Sequence, residues 1–352
     1  MAMGAFKNAV IAAGLFGASS ATGCVSIFHA MANDFSAERG TIEQTVENSY
    51  EPSNEIKVIT YNLAHCRGSY DFYGNNERVD ELNRMDDLDM DLTINSPEQV
   101  YKCLDDVAEM LIREDADIVL LQETDKDATW SYGIDFTPYL AEKAGMDYYA
   151  YGSKYDFVWW PYEHQRANGE WFDTLYFNIG NAVISRYPII SAENKAFKEQ
   201  GFMGWIAGEE RYLDTLIDIN GEKARFVSTH FGNGLIESRV MIEEAGNSKI
   251  PFVFGGTLHI LLPAARETCS WCSEEYVQAM QNLIDSDLFN IYMTTVNPLE
   301  RQYFTSDTEN LYWTADYIIP TSNVRIKDYQ VIDVELSDHM PVAATLVFEE
   351  TQ

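Results

Sequence analysis

The sequence predicts an α/β protein in which polar side chains gather at the ends of buried strands. Residues 118–121, Ile-Val-Leu-Leu, form an unbroken apolar run entered from acidic residues and left through Gln122 and Glu123. A run this short, preceded by a helical pattern, is a strand buried on both faces. The arrangement then recurs. Ile56–Tyr61 leads into Asn62, Arg225–Ser228 into Thr229 and His230, and Pro251–Phe254 into Gly255, Gly256, Thr257, Leu258 and His259. Near the C-terminus Asp316 precedes Tyr317, Ile318 and Ile319, while Asp338 and His339 precede Val342–Phe348. Polar groups at strand ends are how α/β scaffolds build sites.

Taken in order, the chain opens on Lys7 and a small, apolar run from Ala9 to Ala21. That run is too short for a stable membrane anchor and suits the core of a signal peptide. Ser20-Ala21-Thr22-Gly23-Cys24 places small residues before a cysteine. This resembles a bacterial lipoprotein signal (residues 1–24), in which Cys24 becomes the lipidated first residue. The alternative is an ordinary signal peptide with a chance cysteine. Both predict export, and the first adds a membrane anchor at the periplasmic face or cell surface. With Cys24 lipidated, Cys66, Cys103, Cys269 and Cys272 remain, an even number for an oxidising compartment. Their pairing stays open; Cys269 and Cys272 suit a small loop disulfide, and a zinc site there would have only His259 to call on.

Residues 25–54 are polar without sustained periodicity and read as a tether. After the strand at Ile56–Tyr61 comes a strongly acidic insertion, 66–95. Within it Asp87, Asp89, Asp91, Thr93 and Asn95 alternate ahead of Glu98, the ligand spacing of a calcium-binding loop. Leu92 stands where that loop's sharp turn demands glycine, so an acidic solvated loop competes with a Ca²⁺ site at Asp87–Glu98. Ser96 and Pro97 open the first clear helix, whose apolar face is Val100, Cys103, Leu104, Val107, Met110 and Leu111. A short helix is expected over 137–145. The aromatic-dense stretch 148–177 is either a hairpin packed on the body or a membrane- or ligand-touching loop. Strands are expected at Asn181–Ser185 and Leu213–Ile219, with Asn220-Gly221 as a hairpin turn, and a further helix from Ser273.

The 352 residues, 46% of them hydrophobic, suffice for a large core, and one catalytic-type domain over 55–350 is expected. The formal net charge is −32, with no basic run to offset it. Tight non-specific binding to nucleic acid is therefore disfavoured.

Six pieces together resemble the endonuclease/exonuclease/phosphatase superfamily, the deoxyribonuclease I-like fold. They are residues 58–62 (VITYN), 116–123 (ADIVLLQE), 180–189 (GNAVISRYPI), 228–230 (STH), 314–319 (TADYII) and 337–341 (SDHMP). Each is weak alone, and their order is the family's. The resemblance implies a four-layer sandwich of two mixed β-sheets packed face to face and flanked by helices. It also implies metal-dependent attack of water on a phosphate ester. Asn62, Glu123 and Asp338 would then hold Mg²⁺ or Mn²⁺. His230 and His339 would hydrogen-bond the phosphoryl group, Asp316 would orient His339, and Arg211 and Asn62 would contact substrate.

One departure stands out. Where the family carries Gly-Asp-x-Asn, this chain has Gly256-Thr257-Leu258-His259. Threonine cannot serve as a base near neutral pH, and losing a general base costs ~10²–10⁴ in rate. His259 could replace it. Otherwise the site binds a phosphorylated ligand or protein partner without turning over.

Overall fold

The computed structural model describes residues 35–42, 53–66, 96–159, 164–165, 169–198, 209–232, 234–268, 273–306, 311 and 313–348. Fourteen strands are seen among them: β1 (Glu38–Thr41), β2 (Glu55–Asn62), β3 (Ile118–Asp125), β4 (Tyr148–Trp159), β5 (His164–Gln165), β6 (Trp171–Phe172), β7 (Leu175–Ser185), β8 (Ile189–Ala196), β9 (Arg211–Ile219), β10 (Glu222–His230), β11 (Phe252–Thr257), β12 (Asp316–Pro320), β13 (Val324–Val331) and β14 (Val342–Phe348). The α-helices are α1 (Pro97–Arg113), α2 (Phe136–Lys143), α3 (Gly234–Asn247) and α4 (Glu274–Asp285).

A seven-stranded sheet runs in the order β1-β4-β7-β3-β2-β14-β13, and a five-stranded sheet in the order β12-β11-β10-β9-β8. Both are mixed: β2 pairs β3 and β10 pairs β11 in parallel, and every other pairing in the two sheets is antiparallel. The expected two-sheet sandwich is the observed one.

Alternation along β3 shows how a short apolar run becomes a two-faced strand. Ile118 and Leu120 join Ile56, Val58, Leu213, Phe226 and Phe254 in the core between the sheets. Val119 and Leu121 face the other way, into a second core with Ile59, Tyr61 and the apolar faces of α1 and α2. Helix α1 is capped as its sequence requires, the Ser96 side chain accepting from the Gln99 N–H ahead of Pro97. All six residues of its expected apolar face are buried. The Asn220-Gly221 turn has φ of 56° and 97°, the left-handed pair that a tight hairpin between β9 and β10 needs.

One expectation is revised and one alternative is decided. Residues 25–54 were read as a tether, yet β1 pairs with β4 from Glu38↔Tyr151 to Thr41↔Tyr148, and Phe35 is buried. Four residues, one of them glycine, are too few for periodicity to register, so only the sheet edge that receives them identifies the strand. The aromatic stretch does pack on the body: Phe157 stacks on Phe177, whose ring meets Trp130 edge-on. Trp171 and Tyr176 remain exposed.

Cys66 and Cys103 are buried thiols, and the Cys103 thiol faces the Leu336 carbonyl. The signal region with Cys24, nearly all of the 66–95 insertion with Asp87–Asn95, and Cys269 and Cys272 lie outside the described residues. Among the described residues no helix is long and apolar enough to cross a membrane.

Candidate active site

The site is assembled where strands of the two sheets end side by side. In the five-stranded sheet His230, Thr257 and Asp316 are register neighbours across β10, β11 and β12. In the seven-stranded sheet Asn62 pairs with Gln122 at the ends of β2 and β3. Gly256 is wedged between its neighbour β10 in the same sheet and the Gln122 side chain of the other sheet. Its φ is 149°, and a Cβ would lie 1.7 Å from the Thr229 carbonyl oxygen and 3.2 Å from the Gln122 side chain. No other residue fits this position.

Glu123 reaches the site through a break in its own strand. The register between β3 and β7 shifts between Leu121 and Thr124, and Glu123 sits at φ 50°. A regular strand would place residue 123 with Val119 and Leu121 on the helix-covered face. The bulge re-aims its side chain toward the sandwich rim, at the cost of a left-handed backbone. There Asn62 Nδ2 donates to Glu123 Oε1 at 3.1 Å, while His230 Nε2 lies 3.4 Å from Oε1 and His65 Nε2 3.3 Å from Oε2.

A continuous chain of hydrogen bonds links the two sheets. Asn62 Nδ2 also donates to Thr257 Oγ1 at 3.1 Å, and Thr257 Oγ1 donates to Asp316 Oδ1 at 2.8 Å. Asp316 Oδ2 lies 2.7 Å from His339 Nδ1. Thr257 therefore stands where the family's aspartate would, but it gives its proton to Asp316. Burial alone would push the His339 imidazole down. The Asp316 charge and hydrogen bond outweigh this and hold it up at about 10. His339 is an imidazolium at neutral pH.

His259 is driven the other way. Its ring stacks on Trp313 (5.7 Å between centroids, 18°) and meets His230 edge-on at 5.2 Å. Burial, then the His230 and His339 charges, push it down to about 3. It takes up no proton near neutrality, so the expectation that it replaces the missing base fails on electrostatics.

Of the expected residues, the structure thus brings together Asn62, Glu123, His230, Thr257, His259, Asp316 and His339. Asp338 is half-buried, accepts a hydrogen bond from Ser337 Oγ, and acts on His339 through its charge. Arg211 is not bonded to the cluster. Its guanidinium donates to the Asn194 carbonyl and lies over the Phe35 ring, and its buried Nε and Nη1 have no hydrogen-bond partner among the described residues.

Three participants escaped the sequence reading. Lys154, on β4, lies 3.1 Å from His230 Nδ1 and pairs with Glu210 at 2.6 Å. Gln122 bridges the sheets by donating to Ser228 Oγ and accepting from Thr60. His65, three residues past Asn62, holds the far side of Glu123. Gln122 shows in the sequence as a polar residue ending an apolar run and His65 as a histidine just beyond a strand-end asparagine, while Lys154 leaves no signal.

A divalent metal, which the resemblance implies, would have these donors to choose from. Glu123 fits: it is a partly exposed hard-oxygen donor at the rim, and Mg²⁺ or Mn²⁺ takes one or two carboxylates and keeps waters. Asn62 fits less well, because its Oδ1 already accepts from the Ala64 N–H at 2.9 Å and its amide N–H groups face Glu123 and Thr257. Asn62 positions the carboxylate in place of supplying an oxygen. Among the described residues no group of three or more His, Cys, Asp or Glu forms a ready-made metal cage.

Residues 59–218 match the sequence profile of the Endonuclease/Exonuclease/phosphatase family. No curated protein matches the chain in sequence. Among solved structures, the chain is similar to an endonuclease/exonuclease/phosphatase from Beutenbergia cavernae, with 17% identity, a TM-score of 0.55, and 84% of this chain and 72% of that one covered. A family protein from Bacteroides thetaiotaomicron gives 15% identity, a TM-score of 0.54 and coverage of 86% and 98%. A mannosyl-6-phosphatase from the same organism gives 15%, 0.50, and 83% and 100%. Likeness at these identities is a likeness of fold.

Proposed function

We infer, from the family match over residues 59–218 and the two-sheet fold, that this chain is an exported, metal-dependent phosphoric ester hydrolase of the endonuclease/exonuclease/phosphatase type. Its substrate is a phosphodiester or phosphomonoester. A lipid headgroup or small phosphate ester is favoured over nucleic acid, because a net charge of −32 repels polyanions. The observation that carries the reading is the Asp316–His339 pair, a protonated imidazole held 2.7 Å from a buried carboxylate at the same strand ends that present Glu123 and His230.

In this reading His339 donates a hydrogen bond to a phosphoryl oxygen and opposes its charge, with Asp316 fixing the ring's orientation. His230, flanked by Lys154 and Glu123, offers a second polar contact. Glu123 is the carboxylate that would hold the divalent ion. When bound, such an ion neutralises phosphoryl charge and lowers the pKa of water. Neither Thr257 nor His259 can take a proton from water near neutrality, so turnover is expected to be ~10²–10⁴ below that of a site with its general base.

Thr257 and His259 also support a second reading, a family member that binds a phosphorylated ligand or protein partner without hydrolysis. Assays on bis(4-nitrophenyl) phosphate, sphingomyelin and plasmid DNA with Mg²⁺ or Mn²⁺ separate the two. Turnover that His230→Ala abolishes supports the hydrolase. Absence of hydrolysis on all three, with phosphate binding retained, supports the binder. Export rests on residues 1–24 and is tested by asking whether Cys24→Ala moves the protein from the membrane to the soluble fraction.

A further inference from the structure

We propose that His65, Asp125 and Trp130 form a buried strut that positions Glu123 for metal binding, with His65 as the positioning residue. The proposal rests on the reading of Glu123 as the metal's carboxylate. It goes beyond that reading by assigning work to three residues the sequence did not single out.

The first argument is the backbone. Ala64, His65 and Cys66 have φ of 44°, 58° and 56°, three successive non-glycine residues in the left-handed region. A non-glycine residue in this region is strained and persists only where the surroundings over-determine it. The turn starts two residues after Asn62 and is fixed by Asn62 itself, whose Oδ1 accepts from the Ala64 N–H. Its effect is to bring the imidazole of His65 beneath the bulge that carries Glu123, so two strained segments meet at one carboxylate.

The second argument is the chain of contacts behind the imidazole. Asp125 is fully buried, and both its oxygens are committed: Oδ1 lies 2.6 Å from His65 Nδ1, and Oδ2 accepts from Trp130 Nε1 at 2.6 Å. The Trp130 ring meets the His65 ring edge-on at 5.7 Å and is itself fixed by Phe177 at 4.6 Å. With Nδ1 turned to Asp125, the remaining ring nitrogen, Nε2, points to Glu123 Oε2 at 3.3 Å. A carboxylate behind a histidine fixes ring orientation, and the histidine in turn fixes what it faces. His65 is 2% exposed, and Glu123 stands between its Nε2 and the partly exposed rim. Glu123 is thus gripped on both oxygens, by Asn62 and His230 on one side and by His65 on the other.

Outer-shell partners of metal-holding side chains are worth 10–100-fold in metal affinity. Mn²⁺ binding is measured by calorimetry on the full chain, without turnover, for Glu123→Ala, His65→Ala, His65→Gln and Trp130→Phe. His65→Ala is expected to weaken Mn²⁺ at least tenfold. His65→Gln restores most of the loss, because its amide N–H still reaches toward Glu123, while lowering the melting temperature as much as His65→Ala does. Trp130→Phe, which keeps the ring packing and removes one bond to Asp125, gives a smaller loss and guards against a variant that fails to fold. If both His65 variants bind Mn²⁺ as the native protein does while Glu123→Ala loses it, the strut is overturned and the reading of Glu123 survives. If Glu123→Ala binds Mn²⁺ unchanged, the metal assignment falls and the strut's function falls with it.

Discussion

Two histidines of this site, His339 and His259, behave oppositely. His339 faces the buried carboxylate of Asp316 and is held up at about 10. His259 faces Trp313 and His230 and is pushed down to about 3. Both are removed from water, which disfavours the charged form of each. What separates them is that His339 has a carboxylate at hydrogen-bond distance and, among the described residues, His259 has none. The site therefore has a fixed positive end at His339 and an uncharged aromatic wall at His259, and the nature of each histidine's neighbour, more than its burial, decides its chemistry.

Removing that neighbour is the most direct way to break the contrast. Asp316→Asn leaves an amide between the Thr257 hydroxyl and the His339 ring, so one donor is left facing a donor. His339 should then lose its proton at neutral pH, and hydrolysis should fall ~10²–10⁴-fold, the usual worth of a proton-holding catalytic group. An NMR titration of the His339 ring checks this directly. A ring that still titrates near 10 in the variant would mean that Asp316 is not the cause.

The contrast can also be sharpened by restoring what Thr257 and His259 replaced. In Thr257→Asp/His259→Asn the new carboxylate inherits a donor, Asn62 Nδ2, now 3.1 Å from Thr257 Oγ1. It also meets Asp316, which lies 2.8 Å from the present hydroxyl, so the two acids would titrate as a coupled pair. A gain of ~10² in rate is expected, since general-base catalysis is worth that or more. A native protein that turns over a substrate with no improvement in the variant would show that another group has taken the base's place.

How much of this was legible in the sequence follows the same division between what is local and what is not. Strand ends carrying Asn62, Glu123, His230, Asp316 and His339 could be read because a buried strand announces itself by composition and leaves its polar residue at a fixed offset. Helix α1 was legible from its cap and spacing. The bulge at Glu123, the left-handed turn at His65 and the inversion of His259 were not. Each depends on what a distant segment places opposite it: β7 for the bulge, Asp125 for the turn, Trp313 for the inversion. Arg211 shows the converse error. A cation at the start of the strand before His230 invites a phosphate contact, but its guanidinium bonds the Asn194 carbonyl beside Phe35.

The smallest expected effect is on stability, and it tests the two histidines together. His339 has a folded pKa of about 10, above the ~6.5 of an unfolded histidine. The stability it lends is fully present below pH ~6.5 and is lost as the pH rises through about 10. For His259, at about 3, the unfolded chain binds a proton between pH ~6.5 and 3 and the folded chain does not. Stability therefore falls as the pH drops through that window, with a slope of at most about 1.4 kcal/mol per pH unit for one proton. His259→Phe keeps an aromatic ring against Trp313 and removes the titration. Its urea midpoint should consequently fall less than the native protein's between pH 6.5 and 4, while the two proteins lose stability in parallel between pH 7 and 10. Parallel behaviour on the acid side as well would mean that the His259 ring is open to protons in the folded state, and the wall it forms against Trp313 would then be wet.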